Sequence, residues 1–227
     1  MTVVELIGQA EAHAGAWGAG AAVPSRPGWY YPTKRALDVV LSLTILLLTS
    51  PLIVLAMLGI LVVSGGNPLY RHERVGLGGR PFRMFKLRTM VRGAHAMLPD
   101  LRRYSEVDGP VFKMRDDPRL HLLGALLRRS SIDELPNFVN VLLGDMSIVG
   151  PRPPLPEEVA HYDAYALRRL AVKPGVTCLW QISGRSSISF DEWMALDNVY
   201  IDEWSPWYDL VIVAKTIPAV VRGVGAH

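Results

Sequence analysis

From Val39 to Val63 the chain runs for 25 consecutive residues without a charge, VVLSLTILLLTSPLIVLAMLGILVV. As one α-helix this run is roughly 37 Å long at about 1.5 Å per residue, enough to cross a bilayer. Ser50-Pro51 sits at its middle. Pro51 has no N–H for the Leu47 carbonyl and its ring pushes against that turn, so a bend is expected there. Both flanks are basic, with Lys34 and Arg35 before the run and Arg71, Arg74 and Arg80 after it. The positive-inside tendency places both ends in the cytoplasm. A spanning helix cannot satisfy that, whereas a re-entrant helix–break–helix does. A single-pass anchor is the simpler alternative. Asp38 either caps a helix or pairs with Lys34 or Arg35.

The 227 residues are enough for one domain with a real core and too few for two ordinary ones. The net charge of +3 is unevenly placed: Arg71 to Arg103 holds nine Lys/Arg against two acids, a local +7, so the remainder is −4. A basic block beside an apolar segment suits anionic lipid headgroups or phosphorylated substrates. No recognition motif accompanies the charge, which argues against nucleic acid. Cys178 is the one cysteine, so no intrachain disulfide forms. The start carries Glu5 and Glu11 and lacks a basic n-region, so a cleaved signal peptide is not expected. Residues 1–33, rich in Ala and Gly with Pro24, Pro27 and Pro32, read as a flexible arm.

Beyond the apolar run, Ser64–Asn67 reads as a turn and Leu69–Met90 as short strands or loops around Gly76, Gly78 and Gly79. Helices are expected over Pro118–Arg129, over Glu134–Leu143 ending at Gly144, from Pro156 to about Ala171, and over Phe190–Trp204. Trp204, Trp207 and Tyr208 then head an apolar stretch to Val221, which suits a membrane–water boundary or a buried core helix equally. The fold class is therefore α-dominant α+β. Residues 34–66 form the membrane-embedded segment and 67–227 a domain on its cytoplasmic face, with interfacial amphipathic helices.

Three clusters carry chemistry. The first is Arg128-Arg129-Ser130-Ser131-Ile132-Asp133-Glu134-Leu135-Pro136. Adjacent carboxylates beside two arginines near a helix start suit phosphates and a divalent cation. An Asp with a reference pKa near 3.9 is ionised at neutral pH and attacks phosphorus without a general base. Ser131-x-x-Glu134 equally fits a capping box, which assigns the acids a purely structural role. The second cluster, Gly144 to Pro153, holds Arg152 between Pro151 and Pro153, which restricts the backbone that carries the guanidinium. A rigid surface turn explains it as well. The third, Lys173 to Arg185, offers Gln181, hydroxyls and Arg185 on a Gly/Pro loop, parts that suit a base, a ribose or a diphosphate, and an ordinary loop too.

Taken in order, these clusters resemble the bacterial sugar transferases, the monotopic polyprenyl-phosphate hexose-1-phosphate transferases that initiate exopolysaccharide and glycan assembly. The resemblance covers Lys34 to His227. It rests on Lys34-Arg35-x-x-Asp38 heading a Ser-Pro-broken apolar run, on Phe85-Lys86-Leu87-Arg88-Thr89-Met90, and on Asp108-Gly109-Pro110-Val111-Phe112-Lys113. Ser131–Pro136, Gly144–Pro153, Lys173–Arg185 and the Gly223–His227 ending complete it. It implies Asp133 as nucleophile, Glu134 as the Mg²⁺-associated carboxylate, and Arg128, Arg152 and Arg185 as phosphate or nucleotide contacts. Lys86, Arg88, Gln181 and Asp197 are implied only to lie near the substrate. The implied partners are a UDP-sugar, with glucose or galactose favoured, undecaprenyl phosphate and the bacterial inner membrane. A homo-oligomer is compatible with the resemblance. Two other classes are a membrane-anchored scaffold and a Mg²⁺-dependent phosphodiesterase. Cys178 stands where the family usually has Gly, and would strain the nucleotide loop if that position needs φ > 0.

Overall fold

The computed structural model describes residues 23–106, 111–112, 114, 116–183 and 188–222. The first helix, α1, runs Tyr30–Ser64 and ends on Gly65 in the left-handed region, φ 57°. It is the one described helix long and apolar enough to cross a membrane by length and composition. The helix continues through Pro51 instead of ending there. The Ser50 hydroxyl donates to the Leu47 carbonyl at 2.9 Å, the acceptor that Pro51 leaves without an N–H. Local side-chain compensation therefore satisfies the freed carbonyl at the position where a bend is expected.

Strands β1 (Leu69–Val75) and β2 (Pro81–Leu87) form an antiparallel hairpin with Leu69 opposite Leu87 and Val75 opposite Pro81. Gly78 and Gly79, both at positive φ, make its turn. A short helix, α2 (Leu98–Leu101), follows, then α3 (Leu122–Arg129), α4 (Asn137–Leu143), β3 (Ser147–Val149), α5 (Pro156–Val159) and α6 (Ala164–Leu167). β4 (Gly175–Thr177) pairs parallel with β3, and α7 (Leu179–Ile182), α8 (Phe190–Glu203) and α9 (Pro206–Arg222) are the last elements among the described residues.

Helix α3 starts later than Pro118 because the His121 ring caps it, Nδ1 accepting from Gly124 N at 2.9 Å. The helix expected from Pro156 to about Ala171 is instead three short pieces. Asp163 accepts from Ala166 N and restarts the chain as α6, and a 3₁₀ turn over Arg168–Ala171 follows. α8 opens with a true capping box, Ser189 with Glu192.

The main core joins Met84 of β2, Val141 of α4, Ile148 and Val149 of β3, Leu196, Val199 and Tyr200 of α8 and Ile212 of α9. A second cluster packs Ala56 and Ile60 of α1 on Leu87 and Leu127, with Ile132 at its edge. Polar contacts fasten the other half of α1. Arg35 donates to the Val141 and Leu142 carbonyls at 2.6 and 2.7 Å, and Asp38 accepts from Ser147 Oγ and Ile148 N. Asp38 thus neither caps α1 nor pairs with its neighbours; it anchors the helix to β3. Lys34 pairs with Asp209 of α9 at 2.6 Å.

Candidate active site

At the end of α3 the chain reverses through Ser131, at φ 56°, the one non-glycine residue at positive φ among the described residues. A single 3₁₀ turn, Ile132–Glu134, follows. The capping-box alternative fails here. The Ser131 side chain caps nothing, and Glu134 reaches Lys86 of β2 instead, with Nζ to Oε1 at 2.6 Å. A serine held in the left-handed region costs about 1–3 kcal/mol, a cost typical of residues that must aim a neighbour. Ile132, inserted against Leu127 and Leu87, pins the turn and leaves Asp133 buried at 5% exposure.

Burial pushes the Asp133 carboxyl up to about 6; Lys86 and Arg128 pull it down, and Glu134 pushes it up. This corrects the reference value near 3.9, although a group at about 6 is still mostly anionic at neutral pH. Glu134 goes the other way. Burial raises it, but the charge and hydrogen bond of Lys86, with Arg152 and Arg128, hold it below the usual carboxylate range. Burial lowers the Arg128 guanidinium, with Asp133 the foremost opposing influence. Arg128 Nε donates to Thr89 Oγ1 at 3.0 Å, which ties α3 to the end of β2. Gly124 permits this contact: a Cβ there would lie 1.9 Å from the Thr89 carbonyl. Two carboxylates on adjacent residues thus face Lys86 and Arg128, and electrostatically Arg152.

Arg152 lies on the loop after β3. Its guanidinium is 5.4 Å from the Trp193 ring centroid and 3.7 Å from Glu158. Asp197 is buried and ion-paired with Arg169 at 2.6 Å, so the structure places it behind Arg152. Arg88 is held by the Asn67 carbonyl at 2.8 Å and is not among the charges that most influence Asp133. Gln181 lies on α7, one residue from Trp180, whose ring sits 4.9 Å from Trp193. Arg185 and most of the Asp108–Lys113 motif lie outside the described residues, as do residues 1–22 and 223–227. Cys178 has φ −152°, extended backbone open to any residue, so the expected strain is absent.

Six side chains escape sequence reasoning about the site. Arg74 is buried and lies electrostatically near Arg152, Glu158 and Glu134. His72 beside it is pushed down to about 4 by burial and by Arg74, Lys86 and Arg152. Glu158 and Arg169 flank Arg152, and Asp117 with Arg119 forms a bidentate pair near Arg128. Nothing in local sequence marks them, because long-range packing gathers them; the basic density of 71–103 is the one usable signal for Arg74. Among the described residues no three His, Cys, Asp or Glu gather as a metal cage. Asp133 and Glu134 nevertheless fit Mg²⁺, which uses one or two carboxylates with phosphate and water; Lys86 occupies one Glu134 oxygen.

The chain is similar in sequence to known proteins. Residues 29–223 match the bacterial sugar transferases. The chain is 40% identical over 213 residues to the exopolysaccharide production protein ExoY of Rhizobium meliloti, covering 90% of this chain and 94% of that one. It is 41% identical over 221 residues to the UDP-glucose:undecaprenyl-phosphate glucose-1-phosphate transferase of Caulobacter vibrioides, covering 89% and 77%. It is 48% identical over 164 residues to the galactosyl transferase CpsE of Streptococcus agalactiae, covering 72% of this chain but 36% of CpsE, so it spans about a third of that relative. With most of its length matched, and the Asp133–Glu134 turn inside the match, this chain belongs to the bacterial sugar transferase family.

Proposed function

We propose that this protein moves a hexose-1-phosphate from a UDP-sugar to undecaprenyl phosphate, releasing UMP and giving the undecaprenyl-diphosphate sugar that begins exopolysaccharide or glycan assembly. The observation that carries the reading is Asp133: a buried carboxylate on a strained turn, facing Lys86 and Arg128.

An oxygen of Asp133 attacks the phosphorus that bears the sugar. The bond from that phosphorus to the UMP oxygen breaks, and the sugar-phosphate stays on Asp133 as an acyl phosphate. An oxygen of undecaprenyl phosphate then attacks the same phosphorus, the acyl bond breaks, and Asp133 returns as carboxylate. Arg128 and Lys86 lower the repulsion between the attacking anion and the diphosphate, and Arg152 is aimed at a phosphate from the opposite loop. Glu134 and Asp133 would hold Mg²⁺, which screens the phosphate charges when bound. The sugar is a hexose, glucose or galactose by the relatives' names.

The same reading places α1 in the cytoplasmic leaflet of the inner membrane as a re-entrant element. Support comes from both halves of α1 fastening to one globular body, through Arg35 and Asp38 and through Ala56 and Ile60, while Leu47, Leu48 and Leu55 between them are exposed. Leu122 and Leu126 of α3, Leu143 of α4 and Trp207 and Ile217 of α9 are further exposed apolar side chains for an interfacial position. The nucleophile then sits where a cytosolic nucleotide-sugar and a lipid phosphate both reach it.

The test is UMP release by purified protein with undecaprenyl phosphate across UDP-sugars, with radiolabelled sugar-phosphate sought on residue 133. Label on wild type and none on Asp133→Asn supports the scheme. Turnover undiminished in Asp133→Asn rejects Asp133 as nucleophile, absence of UMP release from wild type points to the scaffold, and turnover that ignores the lipid acceptor points to the phosphodiesterase.

A further inference from the structure

The run Pro151–Pro154 presents four consecutive main-chain carbonyls, and each accepts a hydrogen bond from a different part of the chain. Gly175 N donates to Pro151 at 2.9 Å, Arg169 Nη2 to Arg152 at 3.0 Å, Arg74 Nη1 to Pro153 at 3.0 Å and Val75 N to Pro154 at 3.0 Å. The prolines at 151, 153 and 154 already fix φ on both sides of Arg152. A surface turn leaves its carbonyls to water; this one has none left over.

Two of the four donors are buried guanidiniums, costly groups to bury for a turn with no other task. Arg169 is held by several neighbours at its two terminal nitrogens, while its Nε has no partner among the described residues. Asp197 pairs with it at 2.6 Å, Tyr162 accepts from Nη1 at 2.7 Å, and its guanidinium carbon lies 4.9 Å from the Trp193 centroid. That indole is the ring over which the Arg152 guanidinium also lies, at 5.4 Å. Arg169 thus reaches Arg152 twice, by its main-chain carbonyl and through a shared aromatic ring.

We propose that Arg169, with Asp197 as its buried counterion, is a positioning residue that aims Arg152 at the phosphate of the nucleotide-sugar. This rests on the transferase reading above. Asp197 then acts through Arg169 and does not touch the substrate. The arrangement also explains why a carboxylate so deeply buried is tolerated so close to an anion-binding loop: its charge is spent on Arg169.

The test is a mutant cycle on the purified full chain, read as UMP release and thermal midpoint. Arg169→Lys keeps a cation for Asp197 but cannot span Asp197, Tyr162 and the Arg152 carbonyl together. We expect kcat/KM for the UDP-sugar to fall about tenfold to a hundredfold, the range for a displaced positioning group. The loss should appear in KM for the UDP-sugar and leave KM for the lipid acceptor unchanged. In an Arg152→Ala background Arg169→Lys should cost nothing more. Effects that multiply between the two sites, or a lowered midpoint with unchanged KM, would overturn the proposal. If Arg169→Lys does not fold, the same cycle with Tyr162→Phe, which removes one contact of Arg169, decides: a smaller KM rise that vanishes without Arg152 supports positioning, and additive effects reject it. Wild-type protein that releases no UMP from any UDP-sugar sinks the transferase reading itself, a different failure.

Discussion

The turn that carries Asp133 and the loop that carries Arg152 face one site and are built on opposite principles. Ser131 is held at positive φ without a glycine, and no ion pair among the described residues closes on Asp133. Across from it, prolines and four captured carbonyls immobilise the Arg152 loop. Gly150 and Gly175 let its two flanking segments approach so closely that a Cβ on Gly175 would lie 2.1 Å from Gly150 N. The difference separates two tasks. A group that forms and breaks bonds gains from a setting that leaves its anion poorly compensated, whereas a group that binds gains from having nowhere else to go.

Removing the carboxylate tests the first half most severely. Asp133→Asn should lower transfer at least about a thousandfold, as for loss of a covalent nucleophile. It should also stabilise the protein. The folded-state pKa of Asp133 is raised from 3.8 to about 6, so the folded state favours the protonated form. That contribution is full below pH about 3.8 and is lost as pH rises through about 6. Asn cannot ionise, so at pH 7.5 in chelator the gain is up to about 3 kcal/mol, visible as a higher thermal midpoint. A helix-capping Asp would give the reverse on both counts: activity kept and stability lost.

The second half is tested by steric means. Gly150→Ala places a Cβ 2.4 Å from the Lys173 carbonyl, backbone that cannot rotate away. A loss of about 3 kcal/mol is expected, measured by urea denaturation. A cost below about 1 kcal/mol would mean that the loop yields easily and that the contrast between the two regions is overdrawn.

Much of this contrast could not be read from the sequence. Asp133, Glu134, Arg128 and Arg152 stand out in the sequence because their short motifs combine residue types that phosphate chemistry needs, while Lys86 is singled out only by the family resemblance. Lys86 and Glu134, 48 positions apart, prove to be direct partners, which spacing alone does not reveal. The αL conformation of Ser131 was hidden because serine carries no signal for positive φ. Arg169 falls within the helix expected from Pro156 to about Ala171, where nothing marks it, yet it is nearly inaccessible, because Tyr162 and the distant Asp197 receive it. The hairpin strands were only half legible, mixing apolar and basic residues without clean alternation. At Ser50-Pro51 proline marks a bend, and the hydroxyl one residue earlier satisfies the freed carbonyl. Pairwise, long-range events such as the Lys86–Glu134 and Arg169–Asp197 contacts are what a local reading loses.

Acidity sharpens the comparison further. With its pKa at about 6, Asp133 is mostly protonated by pH 5, and a protonated carboxyl is a poor nucleophile. UMP release in the first half-reaction should therefore fall about tenfold for each pH unit below about 6. KM for the UDP-sugar, which this reading assigns to the Arg152 loop, should move much less than kcat. Bound Mg²⁺ should shift the limb to lower pH, because a cation favours the carboxylate. A pH profile flat from 7 to 5 in limiting Mg²⁺ would show that the buried setting does not govern the nucleophile.

The smallest effect concerns the strain itself. Ser131→Gly keeps the turn open to φ 56° without the Cβ clash, and at this position glycine is the better-suited residue. The gain is partly offset by the greater freedom of glycine in the unfolded chain, which leaves a net stabilisation of about 0.5–1 kcal/mol. If the turn serves to aim Asp133, the added freedom in the native state costs rate, and UMP release should slow about threefold to tenfold while the thermal midpoint rises. A variant that is both more stable and fully active would show that the serine is an accident of the fold. A variant less stable than wild type would show that the serine hydroxyl holds the turn together, and the strain would then be compensated locally instead of being kept for the site.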